Sequence, residues 1–252
     1  MIMKRLSLFL FVTMFIALPA LQSCSNKDGY SVGDIWRDWS TVKLIGDDGY
    51  SLTADNCGTL LPIATSVPWY KPKEGQRAVV YFNPLYDDYQ GYDVAVKVEA
   101  VRNILTKAVE ELTAANEEEF GNDPVYIYKD GGMWVNGGHL NIVFRYDVPV
   151  NGNKHKVSLV KNTTVVPEDD GYIHLEYRHN TYDDVSGSGY RWEGAVSFDL
   201  SSLNITSETK GLKVKINSSV NGDVVVTLGL NTEAPSSLMN ADYSSMPEND
   251  FK

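Results

Sequence analysis

His139, His155, His174 and His179 are the only histidines in the chain, so an imidazole metal site or general base has to draw on them. No two have a ligand spacing that points to zinc. His174 lies in phase with Glu176 and Arg178, the pattern of a cross-strand charge ladder on a solvated face. His179 runs in phase with Ile173, Leu175 and Tyr177, and His155 with Val157 and Leu159. Those two are expected at a core edge, satisfied by backbone or by Asp183 and Asp184. The acidic turns Asp47-Asp48, Asp87-Asp88, Asp169-Asp170 and Asp183-Asp184 offer oxygens that a hard cation wants. They lack the alternating carboxylates and terminal Glu of a calcium loop, and Asp is in any case a good turn former. Gly187-Ser188-Gly189 lacks the strand-to-helix elbow of a serine nucleophile. Cys57, in Asn56-Cys57-Gly58, has no adjacent Lys or Arg to stabilise a thiolate, which points to an inert, buried thiol. No catalytic residue, metal site or cofactor is expected from these residues.

The residues that could hold a ligand come from the first half of the chain. In the segment from Trp39, residues Ser40, Val42 and Leu44 share one parity and Trp39, Thr41 and Lys43 the other, the period of a half-buried strand. If the apolar parity faces a core, then Trp39, Thr41, Lys43, Ser51, Thr53, Arg77 and Tyr81 share the opposite face of successive strands. Trp39, Lys43, Arg77 and Tyr81 are the candidate ligand-binding residues: exposed aromatics stack on sugars, bases or peptide side chains, and small barrels bind ligands on such a face. The competing expectation is that a second domain, or the Pro-containing segment Thr59 to Glu74, covers them.

The elements that would position these residues are strands. Gly46-Asp47-Asp48-Gly49 turns one strand into a second over Tyr50 to Asp55. A third spans Arg77 to Asn83 and a fourth follows Tyr86 to Gly91, with Tyr92, Val94, Val96, Val98 and Ala100 alternating against polar residues. This is the content of a small barrel. Val109, Leu112 and Ala115, at three-residue spacing among glutamates, mark a short amphipathic helix or a solvated connector. Seven further strands follow: Val125 to Tyr128, Leu140 to Tyr146, Lys156 to Val160, Tyr172 to Asn180, Ala195 to Leu200, Leu212 to Asn217 and Val224 to Leu230. Gly, Asn and Asp turns separate them, as in an antiparallel sandwich. The polar, aperiodic residues from Ala234 to Lys252 read as a loose tail.

The N-terminus speaks to location. Lys4 and Arg5 precede the uncharged apolar run Leu6 to Leu21, which is signal-peptide anatomy. The run is short for a permanent span. Leu21-Gln22-Ser23-Cys24 follows and reads as a lipobox, in which Cys24 takes a diacylglycerol before cleavage in front of it; a plain secretory peptide with an incidental cysteine is the alternative. Cys24 and Cys57 are the only cysteines, so lipidation of Cys24 leaves no intramolecular disulfide. Several acyl chains hold a protein on a membrane more firmly than one. Ser25 to Gly29 would then be a polar tether. The chain divides into a signal peptide over 1–23, a tether over 24–34, a barrel over 35–108, a connector over 109–122, a sandwich over 123–233 and a tail over 234–252.

Together with the lipobox, Asn103-Ile104-Leu105-Thr106-Lys107, Gly138-His139-Leu140-Asn141-Ile142, Leu175-Glu176-Tyr177-Arg178-His179-Asn180 and Val196-Ser197-Phe198-Asp199-Leu200 give a chain that resembles the NigD-like lipoproteins of Bacteroidota over nearly its whole mature length. The resemblance implies an N-terminal OB-type barrel and a C-terminal β-sandwich. The family takes its name from an immunity protein in a bacteriocin operon, and no catalytic residues come with it.

Composition agrees with an all-β chain: 43% of its 252 residues are hydrophobic and 11% aromatic, enough to build cores and too aromatic for a coiled coil. The net charge of −11 argues against a sequence-independent grip on nucleic acid. The expected function is a non-catalytic, lipid-anchored cell-envelope module, on the outer membrane, that binds a protein or glycan and protects the cell as an immunity protein would. A glycan-acting hydrolase and a structural subunit of an outer-membrane complex are the competing readings.

Overall fold

In a chain of alternating strands separated by Gly and Asp turns, most backbone polar groups inside the sheets find their partners on neighbouring strands. The computed structural model describes residues 30–31, 33–46, 49–127, 132–189, 191–235, 243 and 251–252. The signal peptide, Cys24 and residues 25–29 of the tether lie outside the described residues.

Five strands close the barrel: β1 (Trp36–Ile45), β2 (Gly49–Ala54), β3 (Gly58–Thr65), β4 (Arg77–Tyr89) and β5 (Tyr92–Asn103), in the order β1-β2-β3-β5-β4 with β4 returning to β1. Val42, Leu52, Leu60, Ala78, Val80, Phe82, Val96 and Val98 fill it. Most of β3 falls in the Pro-containing segment Thr59 to Glu74, expected as a connection. The strand forms nonetheless, since the β3–β5 register shifts between Pro62 and Ala64, and an irregularity in the ladder is where a strand tolerates proline. A second shift, between Tyr81 and Phe82 on β4, skips a position on β5. Ala100, expected inside by alternation, is therefore exposed, and Val101 packs on the core.

The chain passes from Asn103 through buried Ile104 straight into the sandwich. Its strands are β6 (Leu105–Ala108), β7 (Glu110–Leu112), β8 (Tyr126–Ile127), β9 (Met133–Asn136), β10 (His139–Asp147), β11 (Lys156–Asn162), β12 (Tyr172–Asn180), β13 (Arg191–Asp199), β14 (Gly211–Ser218) and β15 (Gly222–Leu228). One sheet runs β6-β13-β10-β8, with β9 also paired to β10, and the other β15-β14-β12-β11-β7. Three ladders, β6–β13, β7–β11 and β12–β14, are parallel, which residue alternation alone does not encode. Leu140, Ile142, Phe144, Val157, Leu159, Leu175, Tyr177, Val196, Phe198 and Val214 meet between the sheets.

Two expectations are corrected. The spacing of Val109, Leu112 and Ala115 does not produce a helix there. Glu110–Leu112 joins the edge of β11, and among the described residues α-helix is confined to one turn, Glu117–Phe120. Val109 packs on the sandwich core, whereas Leu112 packs with Phe120 and Val160. A short isolated helix is marginal, and pairing with β11 satisfies the backbone at once. Nor is the C-terminal segment a loose tail at its described residues. Tyr243 is fully buried beside Trp39, and Phe251 sits between the sheets with ring centroids 4.5 Å from Tyr146 and 5.1 Å from Phe144. Backbone bonds from Lys252 N–H to His155 O, 3.0 Å, and from Val157 N–H to Lys252 O, 3.2 Å, hold it along β11. Gly194 leaves the room: a Cβ there would lie 2.9 Å from both the Phe144 and Phe251 rings. Phe251→Ala should lower unfolding stability by about 3 kcal/mol, measured by urea denaturation. A change within a few tenths would show that Phe251 does not close the core.

Candidate functional site

Of the four candidate ligand residues, the structure brings two together and encloses them. Arg77 is fully buried and grips Asp55, which follows β2, through both guanidinium nitrogens, Nη1 to Oδ1 at 2.9 Å and Nη2 to Oδ2 at 2.7 Å. Its Nε and Nη2 also donate to Asn141 Oδ1 on β10, at 3.3 and 3.2 Å, and Nη1 to Thr41 Oγ1 at 3.1 Å. From the sandwich, Trp134 Nε1 donates to Asp55 Oδ2 at 3.1 Å and Asn136 Nδ2 to the Asp55 carbonyl at 3.1 Å. Trp39 meets Trp134 edge-on, 4.8 Å between centroids, under the Arg77 charge. Trp39 and Arg77 are thus the contact between barrel and sandwich and do not stand open to a ligand. Tyr81 is half-buried against the same cluster, with the Arg37 guanidinium 5.9 Å from its ring centre. Lys43 is exposed opposite Ser51, apart from the other three. The signal for two-sided burial was the unbroken run Ala78-Val79-Val80-Tyr81-Phe82, since strands covered on both faces lose their alternation.

The groups that could do chemistry are tied into the fold. His155 Nε2 bonds to the Asp184 carbonyl at 2.9 Å, and His179 Nε2 lies 3.3 Å from His155 Nδ1. A carbonyl only accepts, so His155 carries its proton on Nε2 and His179 donates from Nε2 to the bare His155 Nδ1. His179 Nδ1 then has no partner among the described residues. Burial, reinforced by His155, pushes His179 down to about 4. His139 Nδ1 donates to the Gly137 carbonyl at 2.9 Å, and the ring is lowered by burial and then by the Arg77 charge. The Asp184 carboxylate accepts the backbone N–H groups of Val150, Asn151 and Asn153 and is held low by them against its desolvation. Burial, with Asp38 beside it, raises the Cys57 thiol to about 12. Among the described residues no group of three His, Cys, Asp or Glu could hold a metal ion.

What stands open is a groove on the outer face of the second sheet, with a volume of about 640 Å³. Its floor is the outward row of β12 and β14, where His174 pairs with Lys213 and Glu176 with Lys215 in register. The loop after β11 supplies an apolar wall of Val165, Val166 and Pro167, and Val225 faces it from β15. Val166 is 92% exposed. Tyr172 closes one end, with Lys213 5.4 Å from its ring centre. The floor is neutralised internally. Lys213 and His174 both bind Asp170, which they hold well below the usual carboxylate range, and Arg178 and Asn162 hold Glu176. Such a surface can press an apolar or aromatic ligand segment against the valines and offer the tied charges as hydrogen-bond partners. Sequence reasoning saw the His174–Glu176–Arg178 ladder but not the wall. Two adjacent valines in a loop were the available sign.

Both halves of the molecule match known family models. Residues 40–104 match the NigD-like N-terminal OB domain and residues 108–230 the NigD-like C-terminal beta sandwich domain. The chain belongs to the NigD-like family. Among solved structures, this NigD-like chain is 34% identical to a protein from Parabacteroides distasonis named only as toxin related, over 83% of this chain and 100% of that one, with a TM-score of 0.65. It is 26% identical to a protein of unknown function from Bacteroides vulgatus, over 86% and 98%, with a TM-score of 0.68. A NigD-like immunity protein from Bacteroides caccae is 16% identical over 78% and 94%, with a TM-score of 0.55, and shares the fold. A search of the curated proteins finds no match.

Two outcomes follow from the buried groups. Arg77→Met strands the Asp55 carboxylate at the domain contact and should cost about 3–5 kcal/mol of stability, read from urea unfolding; a neutral result would mean that the ion pair is not what joins the domains. His179 has its folded value near 4 against an ordinary 6.5, so the unfolded chain takes the proton first as pH falls. Stability attributable to His179 is full above pH 6.5 and declines towards pH 4, by about 3 kcal/mol in all. His179→Gln should flatten that part of the stability–pH curve, and an unchanged slope would remove His179 as its source.

Proposed function

We propose that this NigD-like protein is a lipid-anchored cell-envelope binding module that performs no catalysis and protects its cell by engaging a protein or glycan in the outer groove of the sandwich. The observation that carries the reading is the groove itself: an open apolar wall at Val165 and Val166 above a floor whose acids and bases are already paired. Glu176 is engaged by Arg178 and Asn162 and so is not left open to a ligand as a second converging acid would be. The name immunity protein, borne by the Bacteroides caccae structure, supports a protective role. The lipobox ending at Cys24 supports anchoring through lipid to the outer membrane.

Cys24→Ala should move the protein from the membrane to the soluble fraction of lysed cells; retention in the membrane would leave the anchoring reading without support. Affinity capture from envelope extracts tests the groove. Val166→Asp should abolish the capture of a ligand held by the wild type while leaving thermal unfolding unchanged. Equal capture by both proteins would move the binding surface away from the groove.

A further inference from the structure

The edges of the sandwich differ in how they are closed. β9 is occupied along its outer side: Thr232 N–H donates to Val135 O at 2.6 Å and Val135 N–H to Thr232 Oγ1 at 3.0 Å. β7 is three residues long and carries two glutamates, and β6 is four residues long and carries Lys107. Short length and charge are the usual protections against strand addition. β15, Gly-Asp-Val-Val-Val-Thr-Leu over Gly222–Leu228, is seven residues long and has neither Lys, Arg nor Pro. Its one charge, Asp223, is held by Lys215 at 2.8 Å. Among the described residues β15 pairs only with β14, so one row of its backbone N–H and C=O groups is open.

Both faces of this edge have room beside them. On the outer face Val225, 60% exposed, borders the groove described above. On the inner face Val224, Val226 and Leu228 border a cavity of about 480 Å³ shared with Ile127, Met133 and Ile216. A strand laid along the open edge would direct alternate side chains to the two sides, continuing the apolar inner row on one and meeting Val225 on the other.

We propose that a second copy of this chain adds there, β15 against β15, antiparallel about a two-fold axis through Val225. A two-fold axis normal to the sheet keeps inner residues beside inner residues, so paired positions must share parity. Centring on the strand's midpoint pairs all seven residues: Val225 with its own counterpart, Val224 with Val226, Asp223 with Thr227 and Gly222 with Leu228. No carboxylate meets a carboxylate, which matters for a chain of net charge −11. Thr227 is itself in register with Lys213 on β14, so Asp223 of the second copy arrives on the side where a lysine stands. The inference is independent of any ligand in the groove.

The test is the association state of the chain from Ser25 onward, which retains the compact unit Val32 to Lys252, by sedimentation equilibrium over a concentration series. The wild type should dimerise. Val225→Lys and Val225→Glu each place like charges on the axis and should weaken the dimer several-fold, with circular dichroism and thermal midpoint unchanged at so exposed a position. An equal mixture of the two variants should recover the dimer, because lysine then faces glutamate. A wild type that stays monomeric at its solubility limit overturns the proposal. So does a dimer indifferent to both substitutions, or a mixture that fails to recover.

Discussion

Arg77 carries a full positive charge at a fully buried position, and the surrounding structure is arranged so that this is tolerable. An isolated buried guanidinium is prohibitively costly, and Asp55 answers it with two parallel bonds while Asn141 and Thr41 take remaining donors. The partners come from both domains. Asp55 and Thr41 belong to the barrel, and Asn141 and the indole of Trp134 to the sandwich. Apolar packing of Trp39, Val79, Val143 and Trp134 supplies most of the contact, but such packing tolerates sliding. The fork of Arg77 does not, because each nitrogen has a fixed direction. Barrel and sandwich are thereby held in one relative placement, and Tyr243 from the C-terminal segment fills the same cluster.

The sandwich repeats this economy. Phe251 enters between the sheets at a point where Gly194 leaves space, and the histidine pair beside it is ordered by a single carbonyl. The chain of donors runs from His179 through His155 to the Asp184 carbonyl, and at its start His179 Nδ1 has no partner among the described residues. That arrangement is stable only while His179 is neutral. His179, expected at a core edge, is a structural group whose burial gives it a built-in preference for neutral pH.

With the barrel's β1–β4 face spent on the domain contact, the groove and the open edge of the second sheet of the sandwich are the surfaces to which the proposals turn. Its groove and its open edge adjoin at Val225, yet they ask for different partners. The groove offers an apolar wall and neutralised charges to a side chain or sugar, whereas the edge offers backbone donors and acceptors to a strand.

Period-two alternation identified most strands, because a strand with one wet face must place its apolar residues on every second position. The NigD-like resemblance was legible in the motifs that carry it, and it implied the order of barrel before sandwich. Three kinds of fact were not legible. Ladder irregularities at Pro62 and at Tyr81 change which residues face inward, and the decision to shift register is made by the neighbouring strand. That a second domain covers Trp39 and Arg77 was among the expectations, but the partners that bury them, Asn141 and Trp134, stand on a domain that begins far along the chain. The docking of Tyr243 and Phe251 depends on clefts that exist only once both sheets have formed. Local pattern reports the environment a residue needs, while which distant segment provides it is settled by packing, through contacts that no window of sequence contains.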